Sequence, residues 1–402
     1  MEIEKRRQQL ALLQAGLDRM LQAGVWADRL GDIHPADLTD LADLAALPMT
    51  TKDDLRQPLQ RLVVPRREIV RVHASSGSSA EPTVVAYTAG DLRLWATLVA
   101  RGLSAVGVGP DSVVHSALGY GLFTGGLGFH AAAEKLGATV VPAAAGRAER
   151  HRRLIAALSA DVLFATPSYA LHLAELAPDP PPLRLGVFGA EPWSETLRAR
   201  LESAWGMTAY DTYGLSEIIG PGVAWECPAR DGMHINEDAF LPEIIDPTTG
   251  AVLPDGTEGE LLLSSMAREA MPLLRYRTGD LTALDRRPCA CGSTLVRMRR
   301  IHSRADAMVV VRGVNVFPGQ IEDALLGLSG VSATWQATVR RPAHLDVLSV
   351  SVACQTPEDK ALREVVAAAL HDVLGLRVEV TLIAPERLHH SGGKRARIVD
   401  AR

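Results

Sequence analysis

Leu10, Leu13, Leu17, Met20 and Leu21 recur at helical spacing, so residues 2–23 are expected to form one amphipathic helix, ended by Gly24. From about residue 100 to 220 the pattern changes. Short apolar runs at 112–118, 138–142, 162–166 and 185–188 have the length and composition of buried strands. Stretches at 154–158, 169–176 and 194–205 read as the helices between them. This alternation predicts a layered α/β fold with parallel strands, in which ligands sit beyond the carboxyl ends of the strands. Between about 225 and 300, turns at 246–250 and 254–256 punctuate short strands such as 260–263, which predicts a β-rich subdomain. After about 306 a compact α/β unit follows. Residues 347–354 alternate, with Leu348, Val350, Val352 and Cys354 on one face; 361–374 reads as a helix and 376–383 as a strand.

Composition bounds what such a chain does. With 402 residues it exceeds one ordinary core, so a large domain over 1–305 and a small one over 306–402 are expected. Apolar residues make up 47% and charged residues 22%, as in soluble globular proteins. The net charge of -5 and the lack of a long basic stripe argue against a nucleic-acid partner. The short arginine cluster at 297–304 needs another explanation. No apolar run reaches the roughly 18–20 residues of a membrane span, and the charged N-terminus lacks the apolar segment of a signal peptide. A cytoplasmic location is therefore expected. Thiols stay reduced there, so the four cysteines point to packing, a metal or catalysis rather than disulfides.

Three of those cysteines fall near a histidine. Cys227 and His234 lie on one side of the β-rich stretch, and Cys289 and Cys291 form CACG on the other. Three thiolates and one imidazole would close a tetrahedral structural zinc site. The competing reading makes Cys289 and Cys291 small buried hydrophobes. Pro288 and Gly292 flank them in a turn, which suits a metal knuckle better. Cys354, on an alternating strand face, is expected to be core.

Five further segments carry candidate chemistry. HASSGSSAEPT at 73–83 offers hydroxyls and a flexible backbone that could wrap phosphate oxygens, although it also reads as a polar surface turn. YDTYGLSE at 210–217 places Glu217 beside a glycine turn, where it could hold Mg²⁺ or simply be solvated. YRTGDL at 276–281 carries Asp280, suited to accept two ribose hydroxyls. Arg304-Ala-Asp306 follows, and then SGGKRAR at 391–397, whose Lys394 could swing a point charge onto a phosphate.

Each segment is modest, but their order resembles the adenylate-forming superfamily of acyl-CoA synthetases and adenylation domains. GYGLFTGGLG at 119–128, TPSY at 166–169, GAEP at 189–192, GPG at 220–222 and RGVNVFP at 312–318 look like its phenylacetate–CoA ligase branch. The resemblance runs from about residue 60 to the C-terminus. It implies a multilayer α/β domain with a mobile lid, ATP and Mg²⁺ as cofactors and an aryl acid as substrate. Ser75, Ser76, Gly77, Ser78 and Ser79 would close over the triphosphate. Gly189, Ala190, Glu191, Asp211, Thr212 and Tyr213 would border the adenine, with Tyr213 stacking on it. Glu217 would ligate Mg²⁺, Asp280 the ribose, and Arg304 phosphate or ribose. Asp306 would be the hinge, and Lys394 would bridge the carboxylate and the α-phosphate. Tyr120, Phe123, Gly125, Gly214 and Ile218 would border a flat apolar slot for the aryl ring.

The resemblance also implies coenzyme A as acceptor. A carrier-protein thiol or an amine is the alternative, as is a nucleotide-binding protein without turnover; a homodimer is a further expectation. The sequence departs from the family in four places. Ala80 and Glu81 replace a Gly and a Lys of the phosphate loop, Ser303 replaces a Gly, and Ala307 replaces an Asp. The negative charge of Glu81 bears directly on ATP affinity.

Overall fold

The computed structural model describes residues 2–31, 33–56, 58–74, 83–144, 146, 148–175, 183–301, 303–304, 309–312, 314–342, 345–388 and 397–402. Helix α1 (Glu2–Ala23) precedes the short α2 (Ala27–Leu30). Leu13, Leu17 and Met20 of the predicted stripe are fully buried. Strands β1 (Ile69–Ala74) and β2 (Val84–Thr88) pair antiparallel on either side of the Ser/Gly segment. Helix α3 (Ala89–Ala105) starts at a capping box in which Thr88 and Asp91 satisfy each other's backbone N–H groups. The Asp91 carboxylate also accepts the Glu269 and Ala270 N–H groups at 2.7 and 3.1 Å, so this cap pins a loop far along the chain.

The expected alternation follows. It comprises β3 (Val113–Ser116), α4 (Thr124–Lys135), β4 (Thr139–Pro142), α5 (Ala148–Ala157), β5 (Val162–Ala165), α6 (Pro167–Glu175), β6 (Leu185–Gly189), α7 (Glu195–Trp205) and β7 (Thr208–Leu215). Ser194 caps the start of α7, and Gly206 ends it in the left-handed conformation at φ 62°. Strands β7, β6, β5, β3 and β4 lie side by side and parallel.

The β-rich stretch divides between two sheets. Strands β8 (Gly220–Glu226), β9 (Met233–Ile235), β13 (Leu284–Asp285) and β14 (Arg297–Met298) continue the parallel sheet antiparallel, to give nine strands among the described residues. Strands β10 (Leu241–Ile245), β11 (Gly259–Ser264), β12 (Tyr276–Thr282) and β15 (Ser303–Arg304) form a separate antiparallel sheet. Strands β8 and β11 are buried along their whole length, each covered on both faces.

Beyond residue 308, β16 (Val309–Val311) and β17 (Val314–Val316) form a hairpin. They precede α8 (Pro318–Leu326), β18 (Val331–Arg340), β19 (Val347–Cys354), α9 (Lys360–Leu374), β20 (Val378–Ile383) and β21 (Ile398–Asp400). Leu348, Val350, Val352 and Cys354 lie buried in a core separate from the main one, as the alternation predicts. Leu326, at the end of α8, instead packs with Leu173, Leu197 and Trp205 of the preceding α/β layer. No described helix is long and apolar enough to cross a membrane.

Candidate active site

The Ser/Gly segment, with Ser75, Ser76, Gly77, Ser78, Ser79, Ala80 and Glu81, lies outside the described residues, as do Asp306, Ala307 and Lys394. The flanks of that segment are described and converge with two other motifs. Ala74 N–H donates to the Leu122 carbonyl at 3.0 Å, and His73 Nδ1 lies 3.0 Å from the same oxygen. His73 stands edge-on to Tyr87 and Trp95, which stack at 5.3 Å. Tyr87 donates to the Ile219 carbonyl at 3.1 Å, and Trp95 to that of Pro221 at 2.8 Å. Arg268, fully buried, donates to the Ala86 carbonyl at 2.6 Å and the Glu217 carbonyl at 3.3 Å while packing over Tyr87. One aromatic hub thus gathers the segments around residues 74, 122 and 217. Arg268 was missed from the sequence, because nothing local distinguishes it from a surface arginine.

On the side expected to take the nucleotide, β6 and β7 are parallel neighbours, so Gly189 pairs with Thr212. A Cβ on Gly189 would lie 2.4 Å from the Thr212 carbonyl oxygen, which only glycine avoids. Ala190 then takes φ 73°, a left-handed conformation that alanine rarely adopts and that tends to be held at functional sites. Glu191 accepts the Ser168 N–H at 2.6 Å and so ties the GAEP turn to the start of α6. Tyr213 donates its hydroxyl to Asp280 Oδ2 at 2.6 Å, and Arg304 reaches Asp280 Oδ1 at 2.9 Å. Burial, and then the Asp280 carboxylate, push the Tyr213 hydroxyl well above the usual tyrosine range. The register of β15 on β12 places Arg304 directly opposite Asp280. Tyr213, Asp280 and Arg304 therefore meet although three motifs supply them.

Asp211 goes elsewhere. Its side chain is buried beside Glu226 and Arg300, and burial with the neighbouring Glu226 raises its pKa to about 8. Thr212 spends its hydroxyl on the Ala224 carbonyl at 3.1 Å.

Around the proposed slot, Tyr120 is half-buried with its hydroxyl 3.2 Å from His130 Nδ1, and His130 Nε2 lies 2.9 Å from Glu134. The Phe123 ring lies against Gly125, where a Cβ would approach it to 2.5 Å. Gly214 crosses Gly220 so closely that a Cβ would meet its carbonyl at 1.9 Å. Ile218 and Ile219 are fully buried in the main core. His115 and His151 are both buried, with Nε2 of the first 2.8 Å from Nδ1 of the second, and Tyr169 of the TPSY motif lies 3.1 Å beyond. Burial and the neighbouring His151 lower His115 to about 4.

The cysteine cluster assembles as expected. Ligand atoms of Cys227, His234, Cys289 and Cys291 all lie within 4.8 Å of one another. Cys227 and Cys289 sulfurs are 3.7 Å apart, and Cys291 Sγ is 3.4 Å from His234 Nε2. Two thiolates on a tetrahedral zinc should stand about 3.8 Å apart, and a thiolate and imidazole nitrogen about 3.6 Å. His234 Nδ1 lies 3.4 Å from the Leu295 carbonyl, the partner that would orient a metal-bound ring. Burial pushes the Cys227 thiol up to about 12, so a thiolate there needs a cation beside it. The donor set therefore fits zinc.

Residues 24–268 match the family described as AMP-binding enzyme, and residues 313–402 match the AMP-binding enzyme C-terminal domain. The chain is 45% identical over 399 residues to a phenylacetate–coenzyme A ligase of Thermus thermophilus, covering 92% of this chain and 90% of that enzyme. It is 44% identical over 387 residues to the Escherichia coli enzyme of the same name, covering 92% and 88%. Among solved structures, 2-hydroxyisobutyryl-CoA ligase with 2-HIB-AMP in its postadenylation state superposes with a TM-score of 0.90 at 28% identity, covering 98% of this chain and 89% of that one. Its thioesterification state, with 2-HIB-AMP and CoA, gives 0.74 at 27% identity, covering 100% and 90%.

Proposed function

The chain belongs to the AMP-binding enzymes, and from that membership we propose that it activates an aromatic carboxylic acid with ATP, releases pyrophosphate and transfers the acyl group to coenzyme A. The observation that carries this reading is the meeting of Tyr213, Asp280 and Arg304. In a chain 45% identical to a phenylacetate–CoA ligase, that constellation suits a ribose and an adenine.

The chemistry follows from charge. A carboxylate attacking the α-phosphorus of ATP meets a polyanion, so positive charge must offset the repulsion. Lys394 would supply one such charge, and Mg²⁺ held by Glu217 would supply the other. Asp280 would exchange its Tyr213 and Arg304 contacts for ribose hydroxyls. Gly189, Ala190, Glu191 and Thr212 would border the adenine, and Ser75–Ser79 would close over the phosphates. Tyr120, Phe123, Gly125, Gly214 and Ile218 would enclose the acid. Asp211 enters this scheme through its backbone on β7, since its carboxylate is committed to a buried cluster. A lid over 306–402, hinged at Asp306, would carry Lys394 away before the thiol attacks the acyl carbonyl and AMP leaves. The superposition favouring the postadenylation arrangement over the thioesterification one supports two such orientations. Zinc on Cys227, His234, Cys289 and Cys291 would cross-link the ends of the β-rich stretch.

The test is pyrophosphate release with a panel of aryl acids, with and without coenzyme A. We expect acid-dependent release and an aryl thioester. Release without thioester formation would move the acceptor to a carrier protein or an amine. No release with any aryl acid would overturn the reading.

A further inference from the structure

Behind the strand that carries Tyr213 lies a buried charge cluster to which the scheme above gives no task. Arg198 of α7 and Glu226 of β8 form a two-point ion pair at 2.7 and 2.9 Å, each side chain 4% exposed. Arg198 also donates to the Ala209 carbonyl, and Glu226 accepts the Asp211 backbone N–H at 2.8 Å. Arg300, from the segment between β14 and β15, reaches Glu195 at 2.7 Å, Asp211 at 3.4 Å and Glu226 at 3.5 Å. Both guanidinium groups pack over the Trp193 indole, Arg198 at 4.7 Å and Arg300 at 5.1 Å from the ring centroid.

Such a cluster is a poor way to gain stability alone. Charges taken out of water carry a desolvation penalty that apolar packing of equal volume avoids. Its distinctive output is geometric. Trp193 closes the turn that begins at Gly189. Asp211 lies two residues before Tyr213 on β7, and Arg300 lies four residues before Arg304. Resting on the nucleotide reading above, we propose that Arg300 is a positioning residue that locks the turn at 189–193, strand β7 and the Asp280–Arg304 pair into one frame for the adenosine half of the nucleotide. It touches no ligand. A guanidinium suits the task because its edge pairs with carboxylates while its face lies on an indole, which an ammonium cannot reproduce.

The test uses the full-length protein and measures AMP affinity by calorimetry alongside the KM values for ATP and aryl acid. Arg300→Gln should raise the AMP Kd and the ATP KM about tenfold while the acid KM stays within about twofold. Arg300→Lys keeps the charge but loses the fork, so it should restore thermal stability more than AMP affinity. Trp193→Leu leaves the ion pairs but removes the surface they lie on, and it carries the same readout if Arg300→Gln fails to fold. Variants that bind AMP as wild type does, with only a lower unfolding temperature, would reduce the cluster to packing and overturn the inference. Equal losses for acid and nucleotide would do the same. Failure of the wild-type protein to bind AMP would instead overturn the nucleotide reading itself.

Discussion

The cysteine knuckle and the proposed nucleotide cleft border the same nine-stranded sheet yet solve opposite problems. In the knuckle, four donors converge within 4.8 Å, with a buried thiol pushed up to about 12. Such a donor set suits a cation. In the cleft, Tyr213 and Arg304 both bind Asp280, so the groups proposed to take the nucleotide satisfy one another. A closed site of the first kind contributes to folding, because its ligand is needed for the donors to coexist. An open site of the second kind exchanges partners when its ligand arrives, so its changes belong in kinetics. The difference predicts where each mutation will register.

The largest effect should come from the knuckle. Purified protein should contain about one zinc per chain, and Cys289→Ser should lose it along with about 3–5 kcal/mol of stability in chemical denaturation. Unchanged metal content and stability would erase the distinction. Next comes the proposed catalytic charge. Lys394→Ala should slow adenylation about 10²–10³-fold, on the order of 3–4 kcal/mol. Stability should not change, and the reaction from presynthesised acyl-adenylate and coenzyme A should stay near wild type. Equal losses in both half-reactions would make Lys394 a general structural contact.

The buried His115–His151 pair sharpens the comparison as a closed polar cluster within the fold. His115 is lowered to about 4 by burial and by His151, whereas an unfolded histidine titrates near 6.5. The unfolded chain therefore binds more protons between those values, so stability falls as pH drops from about 6.5 towards 4. His115→Gln should flatten that acid limb by about 1–3 kcal/mol, read from urea midpoints across pH. An unaltered pH profile would mean that the ring does not carry the acid sensitivity. The smallest effect belongs to Tyr213→Phe, which removes the Tyr213 hydroxyl's hydrogen bond to Asp280. Losing that hydrogen bond is worth about 1 kcal/mol, so the ATP KM should change a few-fold, with the unfolding midpoint nearly constant. A large stability loss instead would place Tyr213 with the closed sites.

Much of this was legible along the chain. The stripe at Leu13, Leu17 and Met20, the alternating β19 and the strands β3, β4, β5 and β6 form where periodicity predicts them, whereas α4 and β7 were not foreseen and α5 starts at Ala148, before the expected 154. Strand β20 starts at Val378 rather than 376, because Gly375 first turns left-handed to close α9. The cysteine set was readable because CACG is itself a local signature. Arg268, Trp193, Glu226 and His151 were not singled out. Their roles depend on partners such as Ala86, Arg300, Asp211 and His115, which lie far away along the chain. One signal was available for Arg300: the arginine run at 297–304 had no nucleic acid to serve. The structure assigns three of its four arginines: Arg297 to Asp231 and Asp285, Arg300 to the buried cluster and Arg304 to Asp280.

By itself the sequence determined the periodic elements, their order and the ordered set of motifs, because backbone preference and side-chain spacing are properties of near neighbours in the chain. Only the tertiary structure decided which groups each buried carboxylate meets, Asp211 and Asp280 being equally buried. Asp211 and Tyr213 stand on the same strand, two residues apart, and nothing local tells which distant groups each will meet. That difference arises from what each meets across the fold: Arg300 and Glu226 for Asp211, Asp280 and Arg304 for Tyr213. Burial and long-range charge set the roles of these residues, and both come into being only when distant segments pack together.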